Sequence, residues 1–273
     1  MPKIAMVVLA HSNESSLGDF AKNVQGFCPE CSLFLYNSGD DPHFGSSTRL
    51  ERIPNPRRLE YAHIMPFFLD IFDWFLNDAR QFEYLVNAET DMLFIRQGFE
   101  SFLARAMNAC SYMAPLFGRG IPESSGWRPY RSLRPELKHW KRALGMDSLN
   151  RAFNPGQVVD RRYVKSLLQH KGYSEIRRLV DENRSFTLHE VLNPSLVDFL
   201  GLKGRSYPEG LEQTNRYRPY QAVSGVRRAL SIEDAYFVHP VRRDPNDPAR
   251  RMILSMTVTE GNGIRESNAA VED

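Results

Sequence analysis

The sequence predicts an α/β fold in which a mainly parallel sheet is flanked by helices. In the first 116 residues, short apolar runs alternate with longer segments of helical periodicity. Strands that alternate with helices imply βαβ crossovers, which place neighbouring strands parallel. The chain of 273 residues is long enough for one large domain. We therefore expect a single domain over residues 1–260, with halves 1–116 and 117–260, and a disordered polar tail over residues 261–273.

The first half begins with residues 3–10, a continuous apolar run typical of a strand buried on both faces. Residues 15–26 follow as a helix with Leu17, Phe20 and Val24 on one face. Pro66 lies in the first turn of the next predicted helix, where proline is tolerated. The other elements expected here are strands at residues 32–36, 84–88 and 110–115 and helices at residues 62–79 and 98–108.

The alternation weakens after residue 116. Helical periodicity returns later, and the expected elements are helices at residues 136–145, 160–171, 174–183 and 189–200 and a strand at residues 234–238. Residues 118–135 are rich in Gly, Pro, Ser and Arg and include Trp127 and Tyr130. This segment is long for a connector without structure, which favours a lid or binding loop, with a basic surface loop as the alternative.

The charge excludes one class of partner. A net charge of +2 and 25% charged residues are ordinary for a globular protein, so no general binding of nucleic acid is expected. Positive charge is concentrated in one segment, at Arg119, Arg128, Arg131, Arg134, Lys138, Lys141 and Arg142.

No apolar run approaches the ~20 residues that cross a bilayer, and the N-terminus lacks a secretory signal pattern. We expect a cytoplasmic protein and leave peripheral contact with a membrane surface open.

The three cysteines, Cys28, Cys31 and Cys110, include one CxxC pair. A structural zinc site takes four ligands, and no second CxxC or HxxxH pattern occurs. The pair lies between a predicted helix and a following strand, the reverse of the order in thioredoxin-like motifs. We expect free thiols in a reducing compartment rather than redox or metal chemistry.

The most informative segment is residues 83–94, EYLVNAETDMLF. Its apolar run ends at Glu89, Thr90 and Asp91, and in an open α/β sheet ligands bind at the carboxyl ends of the strands. Mn²⁺ and Mg²⁺ prefer oxygen ligands, usually one or two carboxylates together with substrate phosphates. The turn therefore predicts a divalent-metal site, with a solvated acidic turn as the alternative.

No glycine-rich phosphate loop of the GxGxxG or GxxxxGK[ST] type occurs. A Rossmann dehydrogenase and a P-loop NTPase are therefore poor fits, and a bound nucleotide would need a metal or basic side chains at its phosphates. Small and polar residues follow the first strand, and Ala10, His11 and Asn13 could contact a nucleotide base or ribose. The alternative is that Ser12 or Asn13 caps the next helix. Asn37 ends the second strand and begins a turn.

Two motifs of the second half have two interpretations each. One motif is Asn154, Pro155 and Gly156. It can form a tight turn whose backbone approaches a ligand closely, or it can be a plain connector. Glu190 opens a predicted helix, where the helix dipole stabilises a carboxylate. It is either a capping acid or a general base that removes a proton from an attacking hydroxyl.

A third motif, His239 followed closely by Arg242 and Arg243, ends the last predicted strand. An imidazole can complete a metal site, and guanidinium groups bind phosphate in a bidentate manner. Alone, the motif is explained equally well as a solvated basic turn. Together with the acidic turn it indicates a site for a metal and a diphosphate.

The order of these motifs resembles that of a GT-A-fold glycosyltransferase, a fold with a Rossmann-like sheet. Glu89, Thr90 and Asp91 resemble the DxD motif of that fold, with Glu in the first place. The resemblance implies that Glu89 and Asp91 hold Mn²⁺ or Mg²⁺ on the diphosphate of a nucleotide-sugar donor. It also implies that His239 completes the metal shell.

The same resemblance implies roles for the other motifs. Arg242 and Arg243 would neutralise the leaving diphosphate, and Glu190 is placed like the catalytic base of inverting members. Residues 153–156 resemble the Phe-Asn-x-Gly turn on the acceptor side of the sugar site. Residues 4–13, IAMVVLAHSN, and the late His-Pro-Val are also similar to the core-2/I-branching glycosyltransferase group. Members of that group can act without metal, through basic residues.

The expected function is transfer of a hexosyl or N-acetylhexosaminyl group from a UDP-sugar to a hydroxyl of a glycan, lipid-linked or small-molecule acceptor, with inversion. Residues 1–116 would bind the donor and residues 117–260 would shape the acceptor site. The expected donor contacts are Ala10, His11, Asn13, Asn37, Glu89, Thr90, Asp91, Arg242 and Arg243. The expected acceptor contacts are Trp127, Tyr130, Asn154 and Gly156. The alternatives are a metal-dependent nucleotidyl or phosphoryl transferase and a non-catalytic module that binds nucleotide sugars.

Overall fold

The computed structural model describes residues 3–266, with side chains described for residues 3–257. The strands in this range are β1 (Ile4–Ala10), β2 (Cys31–Asn37), β3 (Glu51–Arg52), β4 (Tyr84–Ala88), β5 (Leu93–Phe94), β6 (Tyr112–Ala114), β7 (Val158–Asp160), β8 (Gly204–Ser206) and β9 (Phe237–Val238). The helices are α1 (Glu14–Phe27), α2 (Met65–Asn77), α3 (Phe99–Ala106), α4 (Arg128–Leu133), α5 (Leu137–Leu144), α6 (Arg161–Leu168), α7 (Tyr173–Glu182), α8 (His189–Phe199), α9 (Val223–Leu230) and α10 (Pro248–Glu266). None of these helices is both long and apolar enough to cross a membrane.

Seven of these strands form one sheet in the order β3-β2-β1-β4-β7-β6-β8. β1 is parallel to β2 on one side and to β4 on the other, whereas β7 is antiparallel to β4 and β6. The sheet is therefore mainly parallel, as predicted. The strand order reverses at β1, and ligands of open α/β sheets bind outside the carboxyl ends of the strands at such a switch point. Ala10 ends β1 and Ala88 ends β4 at this edge.

Two apolar clusters cover the two faces of the sheet, because the side chains of β1 alternate between them. Ile4, Met6 and Val8 pack with α1, α3, α9 and α10, whereas Ala5 and Val7 pack with α2, α4, α5, α6, α7 and α8. All five of these side chains are fully buried. The continuous apolar run of β1 is thus explained by helices on both faces.

A second sheet of two strands brings a late part of the chain to the acidic turn. β5 pairs antiparallel with β9, with Leu93 opposite Val238. The residues that precede β5 therefore lie beside those that follow β9. The Val241 N–H donates a hydrogen bond of 2.8 Å to the carbonyl of Asp91 and continues this pairing. In this way the fold positions His239 next to Asp91.

The structure differs from the sequence prediction in short elements. The strands β3, β5, β7 and β8 and the helix α9 are not predicted, because their segments are too short to carry a clear periodic pattern. The last helix, α10, includes residues 261–266, where the sequence predicts part of a disordered tail. The rest of that predicted tail, residues 267–273, lies outside the described residues.

The segment over residues 118–135, predicted as a loop, contains a helix over residues 128–133, α4. Pro129 lies in the first turn of this helix, and Tyr130 and Leu133 pack in the core. The hydroxyl of Ser132 accepts a hydrogen bond of 3.0 Å from the backbone N–H of Phe186. The segment is therefore docked on the domain through a short amphipathic helix.

Candidate active site

The acidic turn lies at the carboxyl end of β4, as predicted. The Met92 N–H donates to the carbonyl of Glu89, 2.9 Å away, and closes the turn. The side chain of Asp91 is 10% exposed and that of Glu89 is 25% exposed, so both carboxylates reach the surface from a largely buried position. The solvated turn that the sequence left open as an alternative is excluded by this burial.

Three groups that can bind a metal converge at this turn. The ligand atoms of Glu89, Asp91 and His239 lie within 4.8 Å of one another, and His239 Nε2 is 3.6 Å from Asp91 Oδ1. His239 Nδ1 lies 3.0 Å from the carbonyl oxygen of Arg216. Because a carbonyl oxygen only accepts, Nδ1 must carry the proton, which leaves the Nε2 lone pair directed at the acids.

The chemistry of this set fits a divalent cation. Burial lowers the pKa of His239 to about 4, against the opposing charge of Asp91, so the imidazole is neutral at pH 7 and can act as a ligand. Two carboxylates and one imidazole are ligand types that Mn²⁺ accepts. Glu89, Asp91 and His239 are thus the residues that would hold the predicted metal.

A guanidinium group now neutralises the acids. Arg243 Nη2 lies 3.1 Å from Asp91 Oδ1 and 3.5 Å from Glu89 Oε2. Its backbone is fixed, since the Asn13 side-chain amide and the Ser16 hydroxyl each donate to the Arg243 carbonyl over 2.8 Å. Arg243 thus lies where the sequence predicts a diphosphate-binding cation.

The side chain of Glu89 is held from a second direction. Asn154 Nδ2 donates to Glu89 Oε1 over 2.8 Å, and Asn87 Nδ2 lies 3.4 Å from Asn154 Oδ1. Burial, followed by the negative charge of Asp91, raises the pKa of Glu89, whereas Arg243 lowers it. Asn154 therefore lies in the site, but its amide is engaged with the acidic turn rather than free for an acceptor.

Glu190 lies on the other side of Asn154. It occupies the first turn of α8, is 8% exposed, and lies 3.4 Å from the hydroxyl of Thr187. Burial raises the pKa of Glu190 to about 8, and the Asn154 backbone N–H opposes that rise. A buried carboxyl with this pKa can exchange a proton near neutral pH, and its place in the first turn of α8 is also that of a capping acid.

The residues predicted at the ends of β1 and β2 lie at the same edge of the sheet. The side chains of Asn13 and Asn37, however, form hydrogen bonds with backbone groups. Asn13 is the N-cap of α1, and its side chain accepts from the Ser16 N–H, so the capping interpretation is correct. Asn37 accepts from the Gly39 N–H and donates to the carbonyl of Asp41, which holds a turn. Ala10 ends β1, and the exposed His11 contacts the hydroxyl of Ser38 through Nδ1 over 3.2 Å.

Four predicted contact residues are engaged within the protein. Tyr130 is fully buried in the core, and Trp127 is half-buried and packs against the same core. Gly156 has φ of +81°, and a Cβ there would lie 2.8 Å from Phe237, so packing and backbone conformation already require this glycine. The Arg242 guanidinium stacks on Tyr220, 4.6 Å from the ring centroid, away from the acids.

Sequence reasoning misses Arg250, a fully buried cation behind the acidic turn. Its Nε lies 2.8 Å from Asp19 Oδ2, and its Nη1 lies 3.4 Å from the carbonyl of Thr90 and 3.2 Å from that of Arg242. It therefore ties the two segments that carry the site residues. No local pattern distinguishes Arg250 from its neighbour Arg251, because its partners come from distant parts of the chain.

A second cluster of ligand-type atoms involves two of the cysteines. Cys28, Cys31 and Cys110 carry free thiols, as predicted. Cys28, Cys31 and Glu100 place ligand-type atoms within 4.8 Å. However, burial, followed by the contact with Cys31, raises the pKa of Cys28 well above its usual value. The thiolate is the form that binds metal, so a cation here would have to displace the proton of Cys28.

Comparison with solved structures identifies the fold. The galactosyltransferase LgtC in complex with donor and acceptor sugar analogs is similar at a TM-score of 0.50 and 12% identity, over 93% of this chain and 95% of that one. An active-site mutant of LgtC is similar at a TM-score of 0.51 over the same shares. The bifunctional glycosyltransferase WbbM in its apo form is similar at a TM-score of 0.50 and 10% identity, over 93% of this chain and 51% of that chain.

At such low identity these similarities establish the fold alone. The chain has the GT-A fold of these glycosyltransferases, as the order of its motifs predicts. No protein-family model matches the chain, and no curated protein matches it by sequence.

Proposed function

We propose that this protein is a glycosyltransferase that moves a sugar from a nucleotide-sugar donor to an acceptor hydroxyl. The observation that carries the proposal is the convergence of Glu89, Asp91, His239 and Arg243 at the carboxyl edge of the sheet. This edge lies at the topological switch point, where nucleotides bind in open α/β sheets. The GT-A fold supports the same reaction class.

The donor diphosphate is expected beside Asp91. A divalent cation held by Glu89, Asp91 and His239 would supply positive charge to the two phosphates. Arg243 reaches the same carboxylates and can turn towards a diphosphate, since 44% of its side chain is exposed. Groups that stabilise charge where it develops commonly make the largest contribution to catalysis. A UDP-sugar is the donor we propose, with a hexosyl or N-acetylhexosaminyl group.

Glu190 is proposed as the general base of an inverting displacement. The acceptor oxygen forms a bond to the anomeric carbon while the bond from that carbon to the diphosphate oxygen breaks. The hydroxyl proton passes to the carboxylate of Glu190, and the electron pair leaves with the nucleoside diphosphate. The buried position of Glu190, next to Asn154 and Thr187, supports this assignment.

A panel of nucleotide sugars, with and without Mn²⁺, tests the proposal through the product that is released. Release of a nucleoside diphosphate from one donor is the expected result. Release of pyrophosphate or inorganic phosphate would instead indicate nucleotidyl or phosphoryl transfer. Binding of a donor without turnover, even with a wide set of acceptors, would indicate a non-catalytic module.

The stereochemistry of the product tests the role of Glu190 separately. Proton NMR of the first product should show the anomeric configuration opposite to that of the donor. Glu190→Gln should lower turnover ~10²–10⁴-fold while donor affinity stays close to that of the wild type. Retention of configuration, or full turnover of the variant, would reject the inverting mechanism.

A further inference from the structure

Two exposed tyrosines, Tyr61 and Tyr217, lie on loops that hydrogen-bond to segments of the candidate site, through Ala62 to Thr187 and through Arg216 to His239. Tyr61, which precedes α2, is 80% exposed, and Tyr217, which precedes α9, is 57% exposed. Large apolar side chains exposed to this degree are uncommon in the described part of the chain, where Leu116 is the other example. The Tyr217 side chain is the largest cause of the raised pKa of Tyr61, so the two loops that carry these rings approach each other here.

Two arginines stack on aromatic rings next to these tyrosines. We call the group Tyr61, Arg128, Phe186, Tyr217 and Arg218 the rim. The Arg218 guanidinium lies 5.0 Å from the ring centroid of Tyr217, and the Arg128 guanidinium lies 3.7 Å from that of Phe186. The ring centroid of Phe186 in turn lies 6.3 Å from that of Tyr61, so these contacts form one continuous chain from Arg128 to Arg218. Among the side chains that the structure describes, no carboxylate lies within ion-pair distance of Arg128 or Arg218.

The rim connects directly to the proposed catalytic residues. The Arg216 N–H donates to the His239 carbonyl over 3.1 Å, so the loop of Tyr217 and Arg218 is anchored at the metal-binding motif. On the opposite side, Phe186 adjoins Thr187, whose hydroxyl lies 3.4 Å from a carboxylate oxygen of Glu190. Arg128 and Tyr61 thus stand on the Glu190 side of the site, where the acceptor hydroxyl must lie.

We propose that Tyr61, Arg128, Phe186, Tyr217 and Arg218 form the acceptor subsite and select a sugar that carries a phosphate or carboxylate group. The proposal rests on the glycosyltransferase function proposed above. Tyrosine rings offer flat apolar faces for the C–H face of a sugar, and guanidinium groups bind carboxylate or phosphate in a bidentate manner. Neither arginine has an ion-pair partner among the described side chains, although Arg218 donates to the Tyr217 carbonyl over 2.8 Å and its charge helps to lower the pKa of Glu89. An anionic sugar supplies such a partner.

The first experiment measures binding with the donor site filled. Glucose 6-phosphate, glucuronic acid and glucose are titrated into the protein in the presence of saturating UDP and Mn²⁺, and binding is followed by saturation-transfer NMR. We expect the two anionic sugars to bind at least ~10-fold more tightly than glucose, because charge-assisted hydrogen bonds contribute differences of this size. Equal affinities, or no measurable binding of either anionic sugar, would overturn the proposal.

A second arm distinguishes the acceptor subsite from the donor site. If UDP displaces the anionic sugars, their phosphate or carboxylate occupies the donor diphosphate position, and the proposal fails. If they bind equally well with and without UDP, they lie at a separate subsite, as proposed. This result is independent of the donor panel, so failure of the acceptor assignment and failure of the glycosyltransferase function are recognised separately.

Variants of the two rim arginines test whether the anionic sugars bind at the rim. Arg128→Gln and Arg218→Gln should each lower the ratio of glucose 6-phosphate affinity to glucose affinity by ~10-fold or more. Arg178→Gln is the matched control, since Arg178 is a surface arginine paired with Glu175 and Glu182 on α7. Thermal unfolding of each variant verifies folding. An unchanged ratio in both folded rim variants, or an equal fall in the control, would overturn the assignment.

Discussion

Arg243 and Asp91 form an ion pair whose closest atoms, Nη2 and Oδ1, lie 3.1 Å apart. The same nitrogen lies 3.5 Å from Glu89 Oε2. One guanidinium group therefore faces both carboxylates that would hold a divalent cation. A cation and Arg243 compete for the same negative charge, so metal binding must be accompanied by movement of this side chain.

The competition predicts that Arg243→Gln binds Mn²⁺ more tightly than the wild type. Removal of the guanidinium should raise Mn²⁺ affinity by ~2–5-fold, the range of partly exposed ion pairs. In metal-free buffer the same variant should bind UDP more weakly, by ~10-fold, because a charge-assisted contact with the diphosphate is lost. Isothermal titration measures both affinities.

Arg242→Gln is the control for this experiment, since Arg242 neighbours Arg243 in the chain but stacks on Tyr220. It should leave Mn²⁺ affinity unchanged. If Arg243→Gln binds Mn²⁺ with the same affinity as the wild type, Arg243 and the metal do not compete for the carboxylates of Glu89 and Asp91.

Removal of the central carboxylate should affect catalysis much more than folding. Asp91→Asn is expected to lower kcat by ~10²–10³-fold, the size observed when one transition-state stabiliser is removed. Steady-state release of nucleoside diphosphate measures the loss, and circular dichroism verifies the fold. Asp181→Asn, at an exposed aspartate paired with Arg57, is the control and should retain turnover. Comparable turnover in the two variants would remove Asp91 from the mechanism.

The pKa of Glu190 predicts how turnover depends on pH. A general base must be ionised, and burial raises the pKa of Glu190 to about 8. Turnover should therefore rise ~10-fold per pH unit from pH 6 towards pH 8 and level off above it. Glu190→Gln should lack this rise. A wild-type rate that is flat or falls over the same interval contradicts a base with this pKa.

The same carboxyl affects stability in the opposite direction. Its folded-state pKa of about 8 lies above the usual value of 4.5, so the folded protein binds the proton more tightly than the unfolded chain. The stabilisation is fully present below pH 4.5 and is lost as the pH rises towards 8. Gln at this position carries no charge, so the Tm of Glu190→Gln minus that of the wild type should grow from pH 5 to pH 8. A constant difference would mean that Glu190 is not buried as a neutral acid.

Loss of the buried cation behind the acidic turn should destabilise the protein. Arg250→Met leaves Asp19 without its partner and removes the bonds to the Thr90 and Arg242 carbonyls. Breaking a buried ion pair from one side typically costs ~3–5 kcal/mol. Urea unfolding measures this loss. Arg251→Met, one position along α10 on the exposed surface, should stay close to the wild type. Equal stability of the two variants would contradict a structural role for Arg250.

Sequence patterns predict the long elements and the acidic site because these depend on local features. β4 has the predicted bounds, since an apolar run followed by acids marks both its end and the ligand edge of the sheet. Asp91, His239 and Arg243 are brought together as predicted because two strand ends supply them. The proximity of Glu190 to Asn154 is not predicted, because the two residues lie in segments without a shared local pattern.

Features that depend on distant contacts are not predicted. Arg250 is buried by partners from α1 and the acidic turn, and Tyr61 contacts Tyr217 across two loops. Neither pairing leaves a local pattern. Tyr130 is misassigned for a related reason. It lies in a short helix among Gly, Pro and Arg residues, so its core-facing position is apparent only from the packing of α4.

The pairing of β5 with β9 has a consequence for synthesis on the ribosome. Glu89 and Asp91 emerge early, whereas His239, Arg243 and Arg250 are among the later residues to leave the exit tunnel. A nascent chain that ends before β9 carries two neighbouring acids without their cationic partners. The acidic turn therefore cannot acquire its native electrostatic environment during translation of the first half, and its carbonyl contact with Arg250 forms only once α10 docks.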